Sequence, residues 1–170
     1  FVLTQPHYDH YSGLQYLITK KYITFQTEIW LNYKYSTSPS SFYAAILHQL
    51  VLLKCKFIIP TSRINTKNIQ VWYPDKTIQN KGFPSNNLQI EPNPNNASIV
   101  IQFKFKNTSI LFTGDIETSG WDQMKCPMMM RKVQFYCISH HGSLNGHLRN
   151  TCHMGAHIKS VVTCHNTFQT

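Results

Sequence analysis

The sequence has no long apolar run, no closely spaced cysteine pair and few acidic residues. No stretch of about eighteen apolar residues occurs, since even residues 41–60 are interrupted by His48, Gln49, Lys54 and Lys56, and we expect no transmembrane segment. The five cysteines form no CxxC pair, which argues against a disulfide framework and a structural zinc knuckle. No signal peptide is visible, and we expect a reducing, cytoplasmic compartment.

Acidic side chains are outnumbered by basic ones. The chain has 16 Lys and Arg against 7 Asp and Glu, a formal net charge of +9 at pH 7. This balance favours an anionic partner such as nucleic acid, a phosphorylated metabolite or an acidic membrane surface. The basic residues are dispersed along the chain, however, so a solvated basic face explains them as well as a binding groove does. The sequence leaves the oligomeric state open.

Length and composition indicate one domain. A chain of 170 residues that is 42% hydrophobic can bury one core of ordinary size, and we expect a single domain over 1–170. The chain has no initiating Met, and it begins and ends in strand-like runs. These features predict a segment of a longer protein.

Apolar spacing predicts a mixed α/β fold. Residues 1–4 are typical of a strand end, and 12–21 of a helix capped by Ser12. Residues 98–106 alternate as in a strand, and a hairpin turn leads into a returning strand at 110–115. Further helices are predicted at 42–55 and 117–126, and further strands at 23–33, 56–60, 69–74, 88–92, 133–139 and 159–164. Polar clusters follow several strand ends.

The first polar cluster is the turn in "LTQPHYDHYSGL", residues 3–14. It carries His7, Asp9 and His10, and imidazole and carboxylate groups on one turn suit Zn²⁺ or another borderline divalent metal. Proline, histidine, tyrosine and aspartate are also ordinary turn residues, so the cluster alone leaves both interpretations open.

Two further clusters follow apolar strands. In "TGDIE", Asp115 comes after Gly114, a pattern that can deliver a carboxylate to a metal centre or serve as a turn or helix cap. In "ISHHGS", His140 and His141 precede a glycine; one can bind metal while the other donates to substrate or holds a carboxylate. Ser143 lacks a matched acid–base triad, which favours a hydroxyl that orients substrate over a nucleophile.

The remaining candidates carry less weight. His48 lies on an apolar helix face and is typical of a satisfied core or boundary histidine. The methionine-rich run at 126–131 is typical of packing. Four histidines match no compact metal pattern: His147, His153, His157 and His165.

Taken together, three blocks resemble the signatures of the metallo-beta-lactamase superfamily. "LTQPHYDHYSGL", "SIVIQFKFKNTSILFTGDIE" and "FYCISHHGS" are similar to the HxHxDH or HxDxDH, TGD and HHGS motifs of the branch that includes the hydrolase domain of competence DNA-uptake proteins. The blocks span the chain in the expected order. The resemblance implies a four-layer αββα sandwich with a one- or two-metal site at the edge between the sheets. It also implies a domain incomplete at both ends, without its opening strands and its C-terminal end.

The resemblance also implies roles for individual residues. The implied metal ligands are His7, Asp9, His10, Asp115 and either His141, which directly precedes the glycine, or His140. Asp115 would be able to bridge two ions, and zinc is the implied cofactor, as one or two ions, with manganese as an alternative. Gln5 replaces the first histidine of the pattern, and its amide oxygen is a poor zinc ligand, which sets one of the two metal positions in question.

The function implied is hydrolysis by metal-activated water. Asp9 and Asp115 are the candidate catalytic proton acceptors, and Ser143 is the candidate substrate-binding residue. The leading expectation is a hydrolase of phosphodiester bonds in nucleic acid or nucleotides. The alternatives are a hydrolase of small esters, lactones or thioesters, and a degenerate, non-catalytic binding or structural member of the same fold.

Overall fold

The computed structural model describes residues 1–32, 41–81, 93–124 and 133–146, and the backbone of 159–161. The elements within these ranges, in chain order, are α1 (Tyr8–Thr19), β1 (Glu28–Trp30), α2 (Ser41–Leu52), β2 (Lys56–Ile58), β3 (Ile69–Tyr73), α3 (Lys76–Lys81), β4 (Val100–Phe105), β5 (Thr108–Phe112), α4 (Thr118–Gln123), β6 (Phe135–Cys137) and β7 (Lys159–Val161). Short 3₁₀ turns lie at Pro94–Ala97, Ser139–Gly142 and Leu144–Gly146. No described helix is long and apolar enough to cross a membrane.

The strands form a small sheet and a large sheet. In the small sheet β1 and β2 run parallel, and Val2 at the start of the chain bridges to Trp30 beside them. The large sheet has the order β3-β4-β5-β6-β7, antiparallel from β3 to β5 and parallel from β5 to β7. Helices together with a mixed sheet confirm the predicted α/β class.

Three clusters of buried side chains form the core. The first joins α1 and α2 to the small sheet through Leu3, Tyr11, Leu14, Ile29, Ile46 and Leu50. The second joins α3 and α4 to the large sheet through Tyr73, Ile78, Val100, Leu111, Trp121 and Tyr136. The third consists of Val71, Ile99 and Ile101 of the large sheet, packed against Val2 and Trp30 of the small one. The prediction of a single domain over 1–170 stays a prediction.

The alternating strand predicted at 98–106 is confirmed as β4. Val100 belongs to the cluster with α4, whereas Ile101 packs against the small sheet, as alternation requires. Alternation predicted an apolar face of Ile99, Ile101, Phe103 and Phe105, with Gln102 on the other face. Burial does not follow these faces to the strand end, since Phe105 is 66% exposed while Gln102 is only 2% exposed. The burial of Gln102 is tolerated because its side-chain oxygen accepts a hydrogen bond from Trp72 Nε1 at 3.1 Å.

Helix α1 begins earlier than predicted. The sequence indicated a helix over 12–21 capped by Ser12, but the backbone N–H groups of His10 and Tyr11 already donate to the His7 carbonyl at 3.0 and 3.2 Å. The predicted cap was therefore wrong. Asp9 consequently lies in the first turn of α1, where a carboxylate interacts favourably with the helix dipole.

Several predictions fall outside the described residues. These are the strand at 88–92, the run at 126–131, and His147, His153, His157 and His165. β7 confirms the beginning of the strand predicted at 159–164.

Candidate metal centre

Three distant parts of the chain meet at one edge of the large sheet. β5 and β6 are parallel neighbours, so their carboxyl ends lie at the same edge, where Asp115 follows β5 and His141 follows β6. The N-terminal segment reaches this edge because the Ile99 N–H, just before β4, donates to the Thr4 carbonyl at 3.0 Å. The first turn of α1 therefore contacts this edge, since His10 Nε2 lies 3.2 Å from Asp115 Oδ2.

A tight turn after β5 directs Asp115 into this edge. Gly114 has φ +55°, and a Cβ atom there would lie 2.8 Å from Ser98 Oγ and 3.0 Å from Thr4 Cβ. Glycine is therefore required for both the backbone conformation and the close approach of the neighbouring segments. The backbone N–H of Asp115 donates to the buried Ser98 hydroxyl at 3.0 Å, which fixes the position of the carboxylate.

The backbone of the loop after β6 directs its two histidine side chains toward different neighbours. His140 and His141 both adopt left-handed conformations, with φ of 49° and 52°, and Gly142 follows at φ 86°. Non-glycine residues in this region cost roughly 1–3 kcal/mol each and persist where the surroundings hold them. The loop is held by the His140 N–H, which donates to the Gly114 carbonyl at 3.2 Å, and by the buried Ser139 hydroxyl, which donates to the Ile116 carbonyl.

Four side chains converge at the edge: Asp9, His10, Asp115 and His141. One ligand atom from each lies within 4.8 Å of all the others. His10 Nε2 lies 3.2 Å from Asp115 Oδ2 and 3.4 Å from Asp9 Oδ2. His141 Nε2 lies 3.0 Å from Asp9 Oδ2 and 3.7 Å from Asp115 Oδ1.

This geometry fits a metal ion. A tetrahedral zinc ion with bonds of about 2.0–2.2 Å separates its ligand atoms by roughly 3.3–3.6 Å, and the four contacts between histidine nitrogen and carboxylate oxygen, which involve both oxygens of Asp115, span 3.0–3.7 Å. Two imidazoles and two carboxylates are donors that zinc accepts and that also suit manganese. The group can therefore hold a metal ion, and its donor set leaves the identity of the metal open.

A hydrogen bond orients one of the histidines. His10 Nδ1 lies 2.9 Å from the hydroxyl oxygen of Thr4. When Nε2 binds a metal, the ring hydrogen is on Nδ1 and is donated to Thr4. Metal-binding histidines usually have such a partner, which fixes the ring and its tautomer.

The surroundings of Asp115 favour its ionised form. Burial is the largest single influence and raises the pKa of this carboxyl, but several effects oppose it: a hydrogen bond and charge from His10, the charge of His141, and a hydrogen bond from Gln5. Together these effects lower the pKa of Asp115 below its usual value. The carboxylate is therefore ready to bind a cation at neutral pH.

The structure does not place His7 in this group of four. His7 Nδ1 instead lies 3.0 Å from the side-chain nitrogen of Gln5, which also donates to Asp115 Oδ2 at 2.7 Å. Among the contacts of the described residues, His7 is thus connected to the site through Gln5.

His140 also points elsewhere. Its Nδ1 lies 3.4 Å from Glu117 Oε1 without the geometry of a hydrogen bond, and Glu117 accepts hydrogen bonds from Asn93 and Asn95. Of the two candidate histidines, it is therefore His141 that joins the group of four.

Ser143 is half-buried, and its backbone N–H donates to the His140 carbonyl at 2.8 Å. Its role toward substrate stays a prediction.

Sequence reasoning missed two supporting residues, Thr4 and Ser98. Thr4 lies beside the first motif, and a hydroxyl next to a metal-binding histidine is a signal that could have identified it. Ser98 precedes Asp115 by a whole hairpin, and only the folded chain brings its hydroxyl to the Asp115 backbone. A candidate metal centre with its orienting hydrogen bonds thus lies at the edge of the large sheet.

Comparison with known proteins finds no family model and no curated protein that matches this chain.

Proposed function

We propose that this chain is a metal-dependent hydrolase of the metallo-beta-lactamase superfamily that cleaves phosphodiester bonds in nucleic acid or nucleotides. The observation that carries the proposal is the convergence of Asp9, His10, Asp115 and His141. These residues come from three segments far apart in the chain. Their clustering at the carboxyl ends of parallel strands is typical of a functional site.

The packing supports the four-layer αββα sandwich of that superfamily. The first core cluster joins α1 and α2 to the small sheet, the third lies between the two sheets, and the second joins the large sheet to α3 and α4. This order of contacts is what two facing sheets covered by helices require. In such a sandwich the proposed site lies at one end of the inner sheets.

The side chains divide the chemistry between them. A bound divalent ion would lower the pKa of a coordinated water and polarise the group under attack. Asp115, whose side chain is 6% exposed, is suited to anchor the ion. Asp9, whose side chain is 38% exposed, is the most solvent-open of the four; by releasing the ion it would open a position for the attacking water and accept the proton of that water. Thr4 holds the ring of His10 in place.

Charge favours a phosphodiester substrate. The net charge of +9 attracts anions and raises their local concentration. A neutral ester, lactone or thioester would gain nothing from this charge. If the substrate is nucleic acid, binding should weaken steeply with salt, because each neutralised phosphate releases counterions.

A non-catalytic binding module is the second candidate. It is favoured by the contacts that the chain makes without an ion, since Asp9 and Asp115 each lie within ion-pair distance of both His10 and His141. Such pairs can hold α1 against the strand ends as a structural contact. In that case the cluster would stabilise the fold and neither bind metal nor cleave a substrate.

The test is metal content and metal-dependent cleavage of the full chain. Elemental analysis after dialysis against zinc is followed by hydrolysis of bis(p-nitrophenyl) phosphate and of DNA with added zinc or manganese. We expect bound metal and cleavage in the wild type, and loss of both in Asp115→Ala. Asp122→Ala removes an exposed aspartate of α4 and should behave as wild type. Folded protein that binds no metal would refute the proposal, and cleavage restricted to neutral esters would move the substrate to the other hydrolase class.

A further inference from the structure

The side-chain amide of Gln5 is buried beside the candidate metal centre. The side chain is 1% exposed and lies between two groups that carry lone pairs. The amide nitrogen is 3.0 Å from His7 Nδ1 and 2.7 Å from Asp115 Oδ2. A single nitrogen therefore contacts both an imidazole nitrogen and a carboxylate oxygen, which are donors suited to a divalent metal.

The orientation of this amide is fixed by its neighbours. The Ser98 hydroxyl accepts from the Asp115 backbone N–H at 3.0 Å and donates its own hydrogen to Gln5 Oε1 at 2.7 Å. A reversed amide would place its oxygen 2.7 Å from the Asp115 carboxylate, where two acceptors repel. The NH₂ group therefore faces His7 and Asp115, with one hydrogen for each. His7 Nδ1 accepts, so the hydrogen of a neutral His7 ring is on Nε2.

The two amide hydrogens of Gln5 stabilise the lone pairs of His7 and Asp115, as a bound metal ion would. The amide hydrogens carry partial positive charge toward the His7 and Asp115 lone pairs, and the amide nitrogen has no lone pair to offer a metal. A buried carboxylate oxygen and a half-buried imidazole are thus paired without an ion. The Gln5 oxygen cannot turn toward the site without breaking its bond from Ser98.

We infer that the centre is built for one divalent ion, held by Asp9, His10, Asp115 and His141, and that the Gln5 amide closes the adjacent position that His7 and Asp115 would otherwise share with a second ion. This inference rests on the proposed metal centre. It makes Gln5 the residue that sets the metal number, and it assigns His7 a contact with Gln5 in place of a ligand role.

Substitution of Gln5 tests the inference by metal content. Wild type, Gln5→His and Gln5→Glu are dialysed against zinc, and the bound ion is counted by elemental analysis, with circular dichroism to verify folding. We expect about one zinc per chain in the wild type and about two in the variants, because each supplies a ligand where the amide stood. About one zinc in both folded variants would overturn the inference. About two in the wild type would overturn it while leaving the proposed hydrolase intact, and none in the folded wild type would instead refute the proposed metal centre.

His7→Ala supplies the second arm, which does not depend on the folding of the Gln5 variants. In the wild-type background the substitution should leave the zinc content at about one, since the described side-chain contact of His7 is with Gln5 and not with the group of four. In the Gln5→His background it should reduce the content from about two to about one. Loss of the zinc from the single His7→Ala variant would show that His7 is a ligand and would overturn the inference.

Discussion

The hydroxyl of Ser98 and the backbone N–H of Asp115 form a buried hydrogen bond of 3.0 Å that connects the beginning of β4 to the turn after β5. Both segments belong to one antiparallel hairpin, so Ser98 lies across from the turn that carries the carboxylate, at the open end of the hairpin, and holds it there. Gly114 makes this approach possible.

Gly114→Ala should destabilise the protein. The residue has φ +55°, and a methyl group would lie 2.8 Å from Ser98 Oγ. The backbone strain alone should cost about 1–3 kcal/mol. The matched control is Gly13→Ala, which has open space within α1 and should stabilise by about 0.5–1 kcal/mol. Urea unfolding of both variants measures the difference, and equal stabilities would contradict the described turn.

His141→Ala and His140→Ala should differ sharply although the residues are neighbours with similar backbone angles. Only His141 points to Asp9 and Asp115, so its removal should weaken zinc binding by more than about 100-fold. His140→Ala loses a contact with Glu117 and should bind zinc as the wild type does. Competition with a zinc-responsive dye measures both affinities. Stronger loss from His140→Ala would reverse the assignment.

Thr4→Val should weaken metal binding without removing a ligand. Valine keeps the shape of threonine but cannot accept the hydrogen of His10 Nδ1, which lies 2.9 Å from the Thr4 hydroxyl. Loss of such an orienting partner typically costs about 10- to 100-fold in metal affinity. Thr4→Ser retains the hydroxyl and should stay close to the wild type. Zinc titration by calorimetry distinguishes the pair, and equal affinities would show that Thr4 does not orient the ring.

Acid should destabilise the metal-free protein partly through Asp115. Its pKa is lowered in the folded state, because the contributions of His10, His141 and Gln5 exceed the opposing effect of burial. The ionised carboxylate therefore contributes stability above the ordinary pKa of about 3.9, and this contribution is lost as pH falls below that value through the lower folded pKa. Asp115→Asn cannot titrate and should lose less stability between about pH 5 and pH 3. Urea midpoints in the presence of a chelator give both curves, and parallel curves would contradict the lowered pKa.

The sequence predicted those parts of the site that depend only on residues close together in the chain. Alternation over 98–106 located β4, and the glycine before Asp115 marked the turn that the structure confirms. The beginning of α1 was not predictable from a capping residue, because the His7 cap makes no side-chain hydrogen bond and leaves no Ser, Thr, Asp or Asn signal.

Contacts between distant segments were beyond sequence reasoning. The side-chain directions of His140 and His141 depend on two consecutive residues in the left-handed conformation. The residue type at these positions does not predict that conformation. Gln5 was noticed only as a missing ligand. Its contacts with His7, Ser98 and Asp115 arise from folding and could not be read from neighbouring positions.

The contacts His10–Asp115 and His141–Asp9 join residues 105 and 132 positions apart in the chain. Bringing such distant positions together costs loop-closure entropy, so Asp9, His10, Asp115 and His141 are adjacent only when the N-terminal helix contacts both strand ends. An ion that binds this assembled form and not the unfolded chain shifts the folding balance by mass action. A higher concentration of free metal would then lower the unfolded fraction and slow proteolysis. The four side chains would in this way stabilise the folded chain in proportion to the metal supply.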